Sequence, residues 1–188
     1  HHRAGFLEPM GWEQLAEAFG LPPGFDEDAL LPSVYLGGEL DLIRSILPAL
    51  AGSGTNDQKA GVKLARFDDP TLDGLTVLEE VLLTGAGAKE PFTAKIGGFP
   101  TKGLREGVLA GQMPQLEALM LRLEAARDRR LALTAARKSL ALHRFAAAFL
   151  PEYERRKQLR GWLDFDDLIQ KARQLLSDPG VAAWVLYR

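Results

Sequence analysis

The feature that most constrains this chain is a run of apolar residues at helical spacing over residues 113–149. Its apolar side chains recur mainly three and four positions apart, namely Leu116, Leu119, Met120, Leu123, Leu131, Leu133, Leu140, Leu142, Phe145 and Phe149. This spacing places them along one face of an α-helix. We predict one long helix that breaks near residues 128–130 and is kinked or interrupted at Pro151, because proline lacks the amide hydrogen that the helix needs.

Shorter helical patterns surround this run. They cover residues 11–20, 38–50, 55–67, 70–82, 153–161, 164–177 and 181–187. Residues 85–103 are instead rich in glycine and proline and indicate an extended excursion. We therefore predict a mainly α protein, an irregular helical bundle with at most a short β excursion around 91–100.

Several helix ends carry recognisable capping residues. Gly20 suits the C-terminal cap of the first helix. Thr55 with Gln58 fits a capping box, and Pro70 suits a first helical position. Asp164 is predicted to cap the last helix, with Asp167 three residues further on. The acidic residues 26–28 are also best interpreted as a helix N-terminus.

Charge is distributed unevenly along the chain, although its net charge is only −2. Residues 1–121 contain 9 basic and 17 acidic residues, whereas residues 122–160 contain 11 basic and 4 acidic ones. Arg130, Arg137 and Arg144 are seven apart and share a face if the helix is continuous. Such a face can neutralise phosphates. It can equally be a solvated helix surface.

Composition and motifs argue against several other functions. The chain has no cysteine, which excludes disulfides and thiolate chemistry and fits a reducing cytoplasm. No apolar run reaches the ~20 residues that span a bilayer, so no membrane partner is expected. Residues 52–59 contain glycines and a lysine without the spacing of a nucleotide-binding loop. His143 lacks a partner nearby, and Asp164, Asp166 and Asp167 lack further ligands, so we predict no catalytic residue, no metal site and no cofactor.

A motif near the C-terminus resembles a known family. Tyr153, Gly161, Asp164 and Phe165 reproduce the pattern Tyr-x7-Gly-x-x-Asp-Phe, followed by Asp-Asp-Leu-Ile. This pattern is similar to a segment of UvrD/Rep-like superfamily 1 DNA helicases that precedes their Asp-Glu ATPase box. Residues 92–95, residues 100–105 and the long helices resemble the AddA branch, the helicase-nuclease subunits of bacterial double-strand-break repair.

The resemblance implies a role in contacting DNA without catalysing a reaction. By this resemblance, residues 1–160 would form an accessory region like subdomain 1B. Residues 161–188 would form the helices that lead back to the ATPase domain. The parent protein would use ATP and Mg²⁺, whereas these residues contain no counterpart of its ATPase and nuclease motifs. We therefore expect a piece of a larger motor, partnered by DNA, by the rest of the helicase chain and by a nuclease subunit.

The resemblance also assigns candidate residues. The DNA-binding candidates are Lys95, Lys102, Arg105, Arg130, Arg137 and Arg144. The structural motif residues are Tyr153, Gly161, Asp164, Phe165 and Asp167, which would fix the helix that docks on the motor domain. Two alternatives stay open: an independent all-helical protein-interaction domain, and a stand-alone hydrolase with a site assembled across the fold.

Overall fold

The computed structural model describes residues 10–177 and is mainly helical, as predicted. Its helices are α1 (Trp12–Ala18), α2 (Glu27–Val34), α3 (Glu39–Ala51), α4 (Thr55–Leu64), α5 (Leu72–Leu82), α6 (Lys102–Arg105), α7 (Met113–Arg160) and α8 (Phe165–Ser177). The predicted helix at 181–187 lies outside the described residues. No helix within the described residues is long and apolar enough to cross a membrane.

Two predicted helix ends are confirmed. Gly20 adopts a φ of 72° after α1, and its N–H donates to the Glu17 carbonyl at 2.9 Å. Leu21 N–H donates back to the Ala16 carbonyl, also at 2.9 Å, which completes a Schellman motif. At α2, the Asp26 side chain accepts a hydrogen bond from Ala29 N–H at 3.0 Å. The acidic residues 26–28 therefore form a helix N-terminus.

Two other predicted helix starts are wrong by one or two residues. The N-cap of α4 is Gly54 rather than Thr55, and Gln58 donates its side-chain N–H to the Ser53 carbonyl at 2.8 Å, so no capping box forms there. The N-cap of α5 is Thr71. Its hydroxyl accepts from Gly74 N–H at 3.2 Å, which starts the helix beyond Pro70.

One apolar cluster holds residues 11–140 together. Its fully buried side chains come from α1 to α5 and α7, from Leu83 directly after α5, and from Leu109, four residues before α7. The largest are Leu30, Ile43, Ile46, Leu50, Leu64, Leu75, Leu78, Leu82, Leu83, Leu109, Leu116 and Leu119. Burying a leucine contributes roughly 1.5–3 kcal/mol. The first part of α7 is thus anchored in the core, as its apolar spacing predicted.

The predicted β excursion is confirmed in its weaker form. Leu83 and Ala94 make a single antiparallel bridge, flanked by a hydrogen bond from Lys95 N–H to the Leu82 carbonyl at 3.0 Å. Within the described residues this bridge does not extend into a strand. The bridge brings the chain back to the end of α5 and so sets the position of the Lys95 backbone.

Helix α7 is continuous over 48 residues, so the break expected near 128–130 and the interruption at Pro151 are wrong. Near residues 128–130, Arg130 forms an ion pair with Glu79 of α5, and this ion pair holds the helix in position. Pro151 removes only the hydrogen bond to the Ala147 carbonyl. The turns on both sides of Pro151 remain helical.

The chain divides into two compact units, one comprising Gly11–Leu140 and the other containing the described residues 10 and 141–177. The division falls inside α7, while the functional boundary predicted at residue 160 coincides with the helix end. Among the described residues 141–177, the only buried side chain is that of Lys157. Polar contacts, rather than an apolar core, therefore organise this part of the chain.

Candidate nucleic-acid interface

Three lysines line a cleft of about 340 Å³ beside α4. Lys59 and Lys63 are four residues apart on α4 and so lie on the same helical face. Lys95 reaches the cleft from the segment that follows the Leu83–Ala94 bridge. The fold thus brings together positive charges that are far apart in the sequence, and we call this site the basic cleft.

Lys95, one of the predicted DNA-binding residues, is half-buried in the basic cleft. Its Nζ donates to the Val81 carbonyl at 2.6 Å. Burial, and after it the positive charge of Lys63, lowers the pKa of Lys95 below its usual value. An anion bound in the basic cleft would offset both effects, because it would supply a negative charge next to the two ammonium groups.

Two carboxylates also line the basic cleft, and both are engaged. Glu80 lies 2.6 Å from Lys63 Nζ, and that hydrogen bond lowers the pKa of Glu80. Arg66 lies 3.7 Å from the other Glu80 oxygen. Asp57 is 2% exposed and faces hydroxyl donors rather than lysines. The lining therefore holds three lysines and two acids.

Asp57 ties α4 to the segment that carries the other predicted DNA-binding residues. It accepts hydrogen bonds from the hydroxyls of Ser53 and Thr101, both at 2.6 Å, and from Thr101 N–H at 3.2 Å. Burial raises the pKa of Asp57, but these hydrogen bonds outweigh it, and the net pKa is below the usual value. No local pattern in the sequence predicts this contact, since Asp57 and Thr101 are 44 residues apart.

Lys102 and Arg105 lie on α6, directly after Thr101. Arg105 Nε donates to the Pro100 carbonyl at 2.9 Å. Lys102 is exposed, with Nζ 3.7 Å from Glu106. The predicted residues Lys95, Lys102 and Arg105 thus belong to one short segment, which Asp57 anchors beside the basic cleft.

Three arginines in the first half of α7, namely Arg122, Arg127 and Arg130, are used inside the fold, whereas Arg129 is exposed. Arg130 is 8% exposed, and its Nε and Nη2 donate to Glu79 at 2.5 and 2.7 Å. Arg127 Nε lies 3.6 Å from the same carboxylate. Arg122 donates to the Val34 carbonyl at 2.8 Å and to Glu39 at 2.9 Å. These side chains connect α7 to α2, α3 and α5.

Arg137 and Arg144 lie further along α7. The Arg137 guanidinium makes a close ion pair with Glu27 and is about half exposed. Three arginines were predicted to share a phosphate-binding face. Arg130 is buried in an ion pair and Arg137 forms an ion pair at the surface. Arg144 is exposed and has no ion pair among residues 10–177.

The structural motif residues form a tight joint between α7 and α8. Gly161 has a φ of 65°, and Trp162 N–H donates to the Lys157 carbonyl at 3.0 Å, so α7 ends in a Schellman motif. Asp164 and Asp167 each accept from the other's backbone N–H, at 2.9 and 3.0 Å. This reciprocal cap confirms the predicted start of α8.

Lys157 completes this joint, and the sequence motif did not identify it. Its Nζ lies 2.9 Å from Asp164 and 2.5 Å from Asp167. The hydrogen bonds to these two carboxylates raise the pKa of Lys157. The Nζ also lies 5.2 Å from the centre of the Tyr153 ring. Phe165, by contrast, is 83% exposed.

The described part of the chain is therefore a mainly helical protein with a basic cleft in one unit and a capped helical joint in the other. Within residues 10–177 there is no group of histidine and acidic side chains arranged to hold a metal ion. Comparison with protein-family models, with curated proteins and with solved structures finds no match to this chain. Any assignment of function therefore depends on the residues themselves.

Proposed function

We propose that this chain is a DNA-contacting and coupling module of an ATP-dependent DNA helicase of the UvrD/Rep-like class, of the AddA type that acts in double-strand-break repair. The observation that carries the proposal is the convergence of Lys59, Lys63 and Lys95 in the basic cleft. Lys102 and Arg105 follow Thr101, which also lines the basic cleft. The module has no catalytic role of its own in this proposal; ATP and Mg²⁺ belong to the parent motor.

The chemistry of the basic cleft favours phosphate groups over other ligands. Lysine ammonium groups on flexible stems bind phosphates as point charges without requiring a base sequence. Each phosphate that they neutralise releases counterions, so the logarithm of the binding constant falls by about 0.9 per contact for each tenfold rise in salt on duplex DNA. Sequence-independent, salt-sensitive binding is what a moving motor requires of an accessory contact.

The joint between α7 and α8 supports the coupling part of the proposal. Gly161, Asp164 and Asp167 set the end of one helix and the start of the next, so movement at one helix is transmitted through a short connection rather than through a flexible linker. The apolar side chains of α8 are exposed and would pack on the rest of the helicase chain; they are Leu168, Ile169, Leu175 and Leu176, each about half exposed.

Salt-dependent binding to duplex DNA tests this function. The 188-residue chain is titrated into a fluorescent duplex at several salt concentrations, and anisotropy gives the binding constants. We expect Lys59→Ala with Lys102→Ala to weaken binding and to reduce the salt slope by about 2. Arg44→Ala removes an exposed charge from α3 and serves as the matched control. Absence of binding at low salt, or a salt-independent constant, would exclude the DNA-contacting role.

Protein interaction is the second candidate function, favoured by the exposed apolar side chains of α8. Analytical ultracentrifugation of the chain, with and without Leu168→Gln and Leu175→Gln, distinguishes the two. Self-association that these changes abolish, together with no binding to DNA, would favour an interaction domain over the helicase module.

A further inference from the structure

Three aromatic rings form an exposed ladder on α7. Phe145, Phe149 and Tyr153 follow one another every fourth residue and therefore lie on one helical face. Their ring centres are 5.3 and 5.7 Å apart, and the neighbouring rings are inclined by only 16° and 17°. They are 62%, 48% and 40% exposed, respectively. We call these three side chains the aromatic ladder.

The aromatic ladder is not part of an apolar core. Within residues 141–177, Lys157 is the only buried side chain, so the rings pack on one another and not beneath other apolar groups. Lys157 lies over the Tyr153 ring at 5.2 Å and is held there by Asp164 and Asp167. The end of the ladder is therefore fixed in place, although its rings stay accessible.

Positive charge accompanies the aromatic ladder. The α7 residues from 141 to 160 include five Lys/Arg and two Glu. Arg155 and Arg156 are held by Glu152. Arg144 adjoins Phe145 and is exposed, and Arg160 follows Tyr153 by seven residues, which returns it to the same face. The Arg160 guanidinium lies 4.7 Å from the Trp162 ring. A partner of this surface should combine flat apolar groups with negative charge.

We infer that the aromatic ladder binds single-stranded nucleic acid, with bases stacking on the exposed rings and the phosphates near Arg144 and Arg160. Unpaired bases present flat faces to aromatic side chains and carry one phosphate per nucleotide, which is the combination this surface fits. Bases inside a duplex are already stacked and cannot reach the rings. The inference rests on the proposed function and adds to it a second surface, distinct from the basic cleft and specific for unpaired strands.

Two single-stranded ligands with equal charge test this inference directly. One is oligothymidylate, and the other is an abasic oligodeoxynucleotide of the same length, which keeps the phosphates but has no bases. Anisotropy is measured with the 188-residue chain at low salt, with a duplex as the third ligand. We expect the chain to bind oligothymidylate at least about fivefold more tightly than the abasic strand, as one stacked base would produce.

Variants of Phe149 test whether the aromatic ladder causes the tighter binding of oligothymidylate than of the abasic strand. Phe149→Leu keeps an apolar helix-forming side chain but removes the ring, and should abolish most of the preference for oligothymidylate. Phe149→Tyr retains a ring and should preserve it. Leu121→Ala changes an exposed apolar side chain elsewhere on α7 and should leave the preference unchanged. Circular dichroism of each variant confirms that the helices are retained.

Each other outcome overturns the inference in a recognisable way. Equal affinity for the two single strands, with duplex binding retained, would remove the aromatic ladder as a base-binding surface and leave the basic cleft unaffected. No binding to any of the three ligands would exclude the proposed DNA function as well. Self-association that Phe149→Leu abolishes, without a preference for bases, would assign the rings to a contact between two copies of the chain.

Discussion

Arg130 on α7 and Glu79 on α5 form a two-point ion pair in which Nε and Nη2 donate to the two carboxylate oxygens at 2.5 and 2.7 Å. Both side chains are 9% exposed. Arg127 approaches the same carboxylate at 3.6 Å. The pair therefore joins the long helix to the core at the point where the sequence suggested a break, and it assigns Arg130 a structural role.

Removal of Glu79 should destabilise the protein strongly. In Glu79→Gln the buried Arg130 guanidinium keeps its charge and loses its partner, and breaking such a pair costs about 3–5 kcal/mol. Urea unfolding followed by circular dichroism measures the change. Glu17→Gln, an exposed glutamate of α1, should change stability by less than about 0.5 kcal/mol. Equal effects of the two variants would contradict the structural role of the pair.

Gly74→Ala should destabilise α5 even though alanine is the better helix former. A Cβ at this position would lie 2.4 Å from the Asp69 carbonyl oxygen and 2.9 Å from the Phe67 ring. Overpacking of this kind costs about 1–3 kcal/mol. Gly103→Ala on α6 is the matched control, because its Cβ meets nothing within 4 Å. Thermal unfolding that shows Gly74→Ala to be as stable as the control would refute this packing.

Substitution of Gly161 tests the end of α7. Its φ of 65° is in the left-handed region, which costs other L-residues roughly 1–2 kcal/mol, whereas its Cβ position is open. Gly161→Ala should therefore lower stability by about that amount, and Gly161→Asn by less, since asparagine tolerates this conformation. The order of unfolding midpoints, glycine above asparagine above alanine, is the expected result; an unchanged alanine variant would be inconsistent with the Schellman motif.

Lys157→Met should loosen the joint without unfolding the rest of the chain. The change leaves the carboxylates of Asp164 and Asp167 next to each other with no ammonium group between them, so α8 should open more often. Hydrogen exchange measured by mass spectrometry should then rise several-fold in 165–177 and stay unchanged in 39–82. Lys171→Met, at an exposed position of α8, controls for the loss of a lysine. Equal protection of α8 in both variants would contradict the role of Lys157 in the joint between α7 and α8.

Part of the protein's stability should be lost in acid because of the Asp57 carboxylate. Its pKa in the folded protein is below the usual value, because the hydrogen bonds from Ser53 and Thr101 outweigh burial. The unfolded state therefore binds the proton more tightly, and the contribution is fully present above the ordinary pKa of 3.8. It is lost as the pH falls through the lower folded pKa. Asp57→Asn should be less stable at neutral pH and should lose less stability between neutral pH and acid; parallel pH profiles would contradict this.

Local signals in the sequence were sufficient for most of the helices and for several of their ends, although they did not predict α6. The apolar spacing of 113–149 predicted the buried Leu116, Leu119, Met120, Leu123 and Leu133 of α7, but Leu131, predicted on the same face, is exposed. Gly20, Asp164 and Asp167 cap where their residue types suggest. Such features depend on neighbours within one or two turns, which a sequence displays directly. Thr55 and Pro70 misled because α4 begins directly after Gly54, which has no side chain to cap it, and α5 begins directly after Thr71, whose hydroxyl accepts from Gly74 N–H.

Partners distant in the sequence explain what could not be predicted. Whether Arg130 faces solvent or Glu79 depends on a contact across 51 residues, and the basic cleft depends on Asp57 holding Thr101 across 44. Lys157 became the buried centre of the joint because the turn at Gly161 brings Asp164 and Asp167 next to it. The sequence by itself determined the mainly helical content, several helix caps and the uneven distribution of charge. Only the tertiary structure decided which charges are neutralised and which remain available, because burial and ion pairing depend on what the fold places opposite each side chain.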